Sequence, residues 1–348
     1  MSKVHLSTYN QKGYEEYRIP GIVCTENNTL LAYCEARSGM TDWGKIEIIL
    51  WRGEPAPTAE DPTARNWKEF TVLVPSPEGD TVNNANMIVD GDRIHFIYHI
   101  NYRKVFYMRS TDDGITWTEP KEITSSYDQF RDRKDWTVCA SGPSHGIKLS
   151  NGRLILPIWV GRNEWDPQAH CPQFPGVIYS DDRGDTWKAG GLIVDDELCN
   201  AGETVSAELS DGSLMINMRC ENDPGVRAVA ISKDNGESFG KFFYDEQLPD
   251  PQCSAGMTAQ GGKIYFSNCA NKPMEGDSRI NLIIKVSEDD GKTWKEYAKV
   301  EDRAGYSDLA IDKNGNIYCF YECERPEGVE LRGSFPQAHL TVFGMEIK

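Results

Sequence analysis

The sequence predicts an all-β fold built of repeated four-stranded units, and three observations carry that prediction. No stretch holds a 3.6-residue apolar period for three turns. Short alternating or continuously apolar runs occur throughout, among them Thr29–Cys34, Glu47–Trp51, Arg93–His99, Arg153–Trp159, Ser213–Met218, Lys263–Ser267 and Leu340–Glu346. One octapeptide, S-x-D-x-G-x-[TS]-[WF], recurs four times, spanning Ser110–Trp117, Ser180–Trp187, Ser232–Phe239 and Ser287–Trp294.

Each copy follows a strand-like run: Val105–Met108, Gly176–Tyr179, Ala228–Ile231 and Leu282–Val286. Within it the Ser and Asp side chains can bond back to turn amides, Gly takes a positive φ, and the closing aromatic packs under the hairpin. These carboxylates belong to turns rather than to chemistry. The copies start 70, 52 and 55 residues apart, too far for a helical-hairpin repeat and suited to one propeller blade. Dividing the chain among six such blades leaves about 58 residues for each. The expectation is a six-bladed β-propeller of four-stranded antiparallel blades, a single domain over residues 1–348, with the first and last blades lacking the octapeptide. Val4–Tyr9 and Leu340–Glu346 are expected to pair and close the ring, because an open ring leaves strand edges exposed.

A hydrophobic content of 39% with 10% aromatics supplies a sizeable core. The net charge of -17 argues against nucleic acid or an anionic membrane surface as a general partner. An anionic substrate would need a local cluster of cations to overcome that field. Residues Met1–Leu6 carry no apolar segment and no long apolar run follows, so no membrane span is expected and a cytoplasmic setting is. Ten cysteines without CxxC pairs read as reduced, buried small hydrophobes. No metal-ligand spacing occurs, so neither a metal nor another cofactor is expected, and no partner protein is evident.

The residues able to do chemistry stand apart in sequence. A turn is expected to deliver Tyr306 ahead of two strands around Asn314-Gly315. Taken singly, Tyr306 reads as a packing tyrosine, Asp42 as a turn aspartate, and Arg18, Arg219 and Arg279 as surface arginines. Their order changes this. Tyr17-Arg18-Ile19-Pro20, the four octapeptides of the type known as Asp boxes, and Gly305-Tyr306-Ser307-Asp308-Leu309 through Phe320-Tyr321-Glu322 together resemble the sialidase (neuraminidase) family of glycoside hydrolases. Leu31–Arg37, Gly142–Ile147 and Glu203–Arg219 match further family motifs in the same order, so the resemblance covers essentially the whole chain.

The resemblance implies an exo-α-sialidase acting on sialylated glycans or free sialosides with retention. It assigns Tyr306 as nucleophile, Glu203 as its base and Asp42 as general acid. Arg18, Arg219 and Arg279 would clamp the substrate carboxylate and Glu322 would hold Arg18 in place. Arg37 would lie near the ring hydroxyls, with Asn84 and Trp159 lining the acetamido and glycerol pockets. Charge explains the choice of nucleophile: a carboxylate brought to about 4 Å from the sugar's own carboxylate would be repelled by about 4 kcal/mol, whereas a phenol is neutral. Glu208 is the rival of Glu203 but should start the strand itself, as a structural residue. His145 is expected to be structural, its ring satisfied by backbone. Lys45 and Glu47 stand where acidic residues are common in the family, and the lysine departs from that pattern. Two relatives of the same chemistry remain open, a trans-sialidase and an enzyme for a deaminated nonulosonic acid. From another class, a non-catalytic glycan-binding propeller also remains.

Overall fold

A computed structural model describes residues 2–7, 11–56, 60–162, 166, 169–195, 197–198, 200–221, 225–273, 279–324 and 337–346. Helix is confined among them to the short turns Pro77–Gly79 and Ser125–Asp128. The strands form five antiparallel sheets in a propeller-like arrangement. The first holds Glu16–Cys24, Leu30–Arg37, Ile46–Pro55 and Arg65–Trp67, with Thr71–Val74 added to the third strand. The second holds Val82–Asp90, Arg93–Ile100, Lys104–Ser110 and Lys121–Glu122. In the third, Val138–Ser141, Leu154–Gly161, Gln173–Ser180 and Lys188–Leu192 follow one another, and Ile147–Lys148 joins Leu154–Gly161. The fourth runs Ala201–Glu208, Leu214–Cys220, Val226–Ser232, Phe243–Pro249. The fifth has seven strands: Gly256–Gln260, Lys263–Cys269, Ile280–Ser287, Lys295–Ile311, Asn316–Glu324, Gln337–Glu346 and Ser2–Ser7.

Six separate four-stranded blades are therefore not what the hydrogen bonding yields. The reason is the 17-residue strand Lys295–Ile311, which pairs with Ile280–Ser287 as far as Arg303 and with Asn316–Glu324 from Ala304 onward. An unbroken strand stands where a turn before Tyr306 was expected. The chain ends do pair: Ser2–Ser7 lies antiparallel to Gln337–Glu346 with Val4 opposite Val342. Tyr9, at the end of the expected first strand, falls outside the described residues.

Sheets stacked on both sides explain why so many strands are apolar throughout instead of alternating. All eight residues of Leu154–Gly161 and of Leu30–Arg37 are buried. The core is accordingly divided among faces between neighbouring sheets. Leu31 and Tyr33 meet Met87 and Phe96, Ile88 and Ile97 meet Leu156, and Val205 and Met215 meet Met257 and Phe266.

The four octapeptides share one geometry. In each, the Ser ends the third strand of a four-strand run, the Asp accepts from the Ser hydroxyl and from the Thr or Ser four residues after it, and the Gly amide donates to the Ser hydroxyl. The Gly takes φ from 76° to 89°, and the residue before it also has a positive φ. At the centre, the segment between Val138–Ser141 and Ile147–Lys148 bonds to all four other sheets. Tyr33 donates to Ser144, Gly146 donates to Met87, Thr204 donates to Gly142, and His145 Nδ1 lies 2.8 Å from Asp308. The His145 ring is thus held by a side-chain carboxylate rather than by backbone.

Candidate active site

A cavity of about 440 Å³ opens among these sheets, and eight of the ten expected site residues line it: Arg18, Asp42, Asn84, Trp159, Glu203, Arg219, Arg279 and Tyr306. Arg37 and Glu322 stand behind the wall, 1% and 0% exposed.

Four of the lining residues share a backbone device. The register of Glu16–Cys24 slips between Arg18 and Gly21, that of Val82–Asp90 between Asn83 and Asn86, that of Ala201–Glu208 between Ala201 and Thr204, and that of Lys295–Ile311 between Ala304 and Ser307. Bulges of this kind bend a strand and re-aim its side chains. They place Arg18, Asn84, Glu203 and Tyr306 on the cavity. Glu203 and Tyr306 therefore lie inside strands, Tyr306 without the turn expected to deliver it. The strand bearing Arg18 also continues past Pro20 to Cys24, because the missing N–H of proline falls within the bulge, where no ladder bond is required.

Bulges leave amides unpaired, and two buried carboxylates satisfy them. Glu322 Oε1 accepts from Arg18 Nε at 2.7 Å and from the Ile19 amide at 3.0 Å, while its Oε2 accepts from the Tyr306 amide at 3.1 Å. Glu35 Oε1 accepts from the Asn84 amide at 2.9 Å, and its Oε2 accepts from Arg37 Nε at 2.9 Å and Nη2 at 2.6 Å. Pairing and hydrogen bonding of this quality are what make buried charges tolerable.

The reactive group is compact. The Tyr306 hydroxyl donates to Glu203 Oε1 at 2.5 Å, and Arg219 Nη1 donates to both Glu203 Oε2 and the Tyr306 oxygen at 2.6 Å. The guanidinium carbons of Arg18, Arg279 and Arg219 lie 5.3, 5.1 and 5.9 Å from the Tyr306 ring centre. Burial pushes the phenol well above its ordinary range; Arg219 pulls the other way and Glu203 adds to the rise. Arg279 is held by donating to the Gln252 carbonyl at 3.1 Å. Glu208 sits elsewhere, accepting from the Ser150 amide and hydroxyl.

Asp42 comes from the loop after Leu30–Arg37. Arg37 Nη1 donates to Asp42 Oδ1 at 2.9 Å, Trp43 packs 5.0 Å from Tyr102, and Gly44 exchanges two 2.9 Å bonds with the Thr81 hydroxyl. The glycine-flanked loop is thus pinned along its length. The Asp42 side chain is 54% exposed at the mouth of the cavity; partial desolvation raises its pKa, but Arg37 and then Arg18 outweigh it and bring the carboxyl down to about 2. Trp159 stands in an aromatic wall with Tyr102 and His170, whose ring centres are 4.4 Å apart.

Sequence reasoning missed several residues of the wall. Trp43 is the neighbour of Asp42 in the same glycine-flanked loop and was open to notice. Glu35 stands two places before Arg37 on one strand, hence on the same face, which was a usable signal. Tyr102, His170 and Cys171 arrive from connections with no pattern of their own, and Gln173 from the first position of its strand. Glu221, whose Oε1 holds Arg219 Nη2 at 2.9 Å, also lines the cavity. Among the described residues no group of three or more His, Cys, Asp or Glu side chains is placed to hold a metal ion.

Known proteins resemble this chain in sequence and in fold. Residues 27–319 match the BNR repeat-like domain family. A sialidase of Bacteroides fragilis is 31% identical over 88% of this chain and 60% of its own length, and an exo-alpha-sialidase of Arthroderma benhamiae is 29% identical over 87% of this chain and 74% of its own. The chain thus spans less than two thirds of the Bacteroides relative. Among solved structures, the Hadza microbial sialidase Hz136 superposes with a TM-score of 0.77 at 23% identity, covering 99% of this chain and 68% of that one. A Trypanosoma rangeli sialidase in complex with the inhibitor DANA gives 0.73 at 18% identity, over 98% and 59%. With the family match running across most of the strands that carry the cavity, the chain belongs to the sialidase family of BNR-repeat proteins.

Proposed function

We propose that this chain is an exo-α-sialidase, which releases a terminal sialic acid from a glycan or oligosaccharide with retention of configuration. The observation that carries the reading is the 2.5 Å contact between the Tyr306 hydroxyl and Glu203 inside a cage of three guanidinium groups. Arg18, Arg219 and Arg279 receive the sugar carboxylate, each charge-assisted bond adding roughly 1.5–3 kcal/mol. Tyr306 Oη then bonds to the anomeric carbon as Glu203 takes its proton, and Asp42 protonates the departing oxygen. Water, deprotonated by Asp42, displaces the tyrosyl oxygen in the second step, and Glu203 returns the proton to Tyr306. Arg37 and Arg18 hold the Asp42 carboxyl well below its ordinary range. A substrate carboxylate lying on Arg18 offsets part of that field, so binding raises the proton affinity of Asp42 in the direction an acid needs.

The same reading takes the seven-stranded sheet as two blades joined through Lys295–Ile311, which gives six in one domain over residues 1–348. Apolar clusters fill six faces between successive strand groups and support that count, the second and third sheets sharing two of the clusters and the one joining Leu282 and Ile284 to Leu309 and Phe343 falling inside the seven-stranded sheet itself.

The test is turnover of a fluorogenic sialoside by the parent chain and by Tyr306→Phe. Loss of at least about a thousandfold in kcat, with sialic acid affinity within a fewfold, is expected. Near-normal turnover by the phenylalanine variant would sink the nucleophile assignment. NMR of the first-formed product should show the α-anomer, and a β-anomer or an internally cyclised sugar would remove hydrolysis with retention.

A further inference from the structure

Arg219 is more heavily committed than a carboxylate clamp requires. Its Nη1 gives both hydrogens to the reactive pair, one to Glu203 Oε2 and one to the Tyr306 oxygen, each at 2.6 Å. Its Nε is buried without a hydrogen-bond partner. Only Nη2 remains for a ligand, and Glu221 Oε1 holds it at 2.9 Å. Glu221 lies just past the strand Leu214–Cys220, two residues after Arg219. Its amide is tied to the Asn200 carbonyl at 3.3 Å, and its side chain stays 25% exposed in the cavity wall.

Resting on the sialidase reading, we infer that Glu221 is a built-in competitor for the substrate's carboxylate, holding the one terminal nitrogen of Arg219 that the Tyr306–Glu203 pair leaves available. Arg219 already has a carboxylate partner in Glu203, so a second is not needed to neutralise it. A ligand carboxylate arriving at Nη2 meets Glu221 across a shared guanidinium edge. Whether it displaces Glu221 or shares the nitrogen, two like charges are brought within a few ångströms. The effect falls on every carboxylate ligand, product included. It weakens binding and hastens release, while the chemistry at Nη1 is untouched. Glu221 is thus an affinity-setting residue that acts through Arg219.

Glu221→Gln removes the charge while keeping the size and an acceptor oxygen. With a fluorogenic sialoside, KM is expected to fall about tenfold, the size of one screened like-charge contact, with kcat within about twofold. The dissociation constant of N-acetylneuraminic acid, measured by calorimetry, should fall by the same factor. Glu221→Asp, which keeps the charge but draws it back by one methylene, should lie between. A plain structural counter-ion gives the opposite order, with KM raised in the glutamine variant and recovered in the aspartate one. A KM that is unchanged or raised in a glutamine variant of parental melting temperature overturns the inference. Should that variant not fold, absence of any affinity gain in the aspartate variant does so. A parent chain that neither binds N-acetylneuraminic acid nor cleaves the sialoside overturns the functional reading, and the inference with it. Parental activity without a gain in the variants overturns the inference alone.

Discussion

Tyr306 sits among three guanidinium groups yet stays protonated, because burial and Glu203 outweigh the pull of Arg219. On the proposed reading a neutral nucleophile suits an anionic sugar, and Glu203 would take the proton during attack rather than before it. Asp42 is the opposite case, a half-exposed carboxyl held at about 2 by Arg37 and Arg18. Its assignment as the acid makes a selective prediction. Asp42→Asn should lower kcat/KM on an oligosaccharide by about a hundredfold to ten-thousandfold, but by less than about tenfold on an aryl sialoside, whose phenolate leaves unprotonated. Equal losses on the two substrates would remove Asp42 from that role. At this scale the sequence was readable only through the order of its motifs. Nothing local distinguishes Tyr306 from a packing tyrosine. Glu221 was invisible because its importance comes from which nitrogen of Arg219 it touches.

Strands explain what residues alone do not. The octapeptides were legible because each is a closed local circuit, its Asp bonded within four residues. Asp234→Ala removes the acceptor for the Ser232 hydroxyl, the Ser238 amide and the Ser238 hydroxyl. The turn is partly exposed, so the expected cost is about 1 kcal/mol, read as a lower urea midpoint with kcat/KM unchanged. A fall in kcat/KM at full stability would tie that turn to the site instead. The bulges were not legible. A bulge is defined by the partner strand, and no run of residues announces where two will face one. Pro20 illustrates this: it reads as a terminator, but it occupies the one stretch of its strand where an N–H is dispensable. The 17-residue strand Lys295–Ile311 was missed for a related reason, since Ala304-Gly305 looks like a turn and is instead the point where pairing passes from one neighbour to another.

Across the whole molecule the net charge is -17, and the cations of the cavity work against that background at short range. Acid sensitivity has a separate origin, in two histidines of Arg93–Ile100 that are fully buried. Burial pushes His99 down to about 3 and His95 to about 4, the latter despite Asp90. The unfolded chain takes up these protons near pH 6.5, whereas the folded one does not until pH 4 and then 3. Stability is therefore complete above about pH 6.5 and declines as pH falls through that window, by up to about 1.4 kcal/mol per pH unit for each ring. Urea midpoints measured from pH 7 to pH 5 should fall for the parent chain and more shallowly for His99→Gln. Parallel slopes would place the acid lability in other groups. The repeat period revealed the propeller-like plan, and apolar runs located the strands. The passage of Lys295–Ile311 between neighbours was beyond reach, because it depends on contacts between segments and not on either segment alone.

Glu322 grips the Ile19 and Tyr306 amides, not their side chains. The backbone of the pocket at position 306 is therefore held independently of the side chain that projects from it. Exchanging the phenol for another ring of similar size should leave those amide bonds in place, so the backbone frame can present a different reagent there.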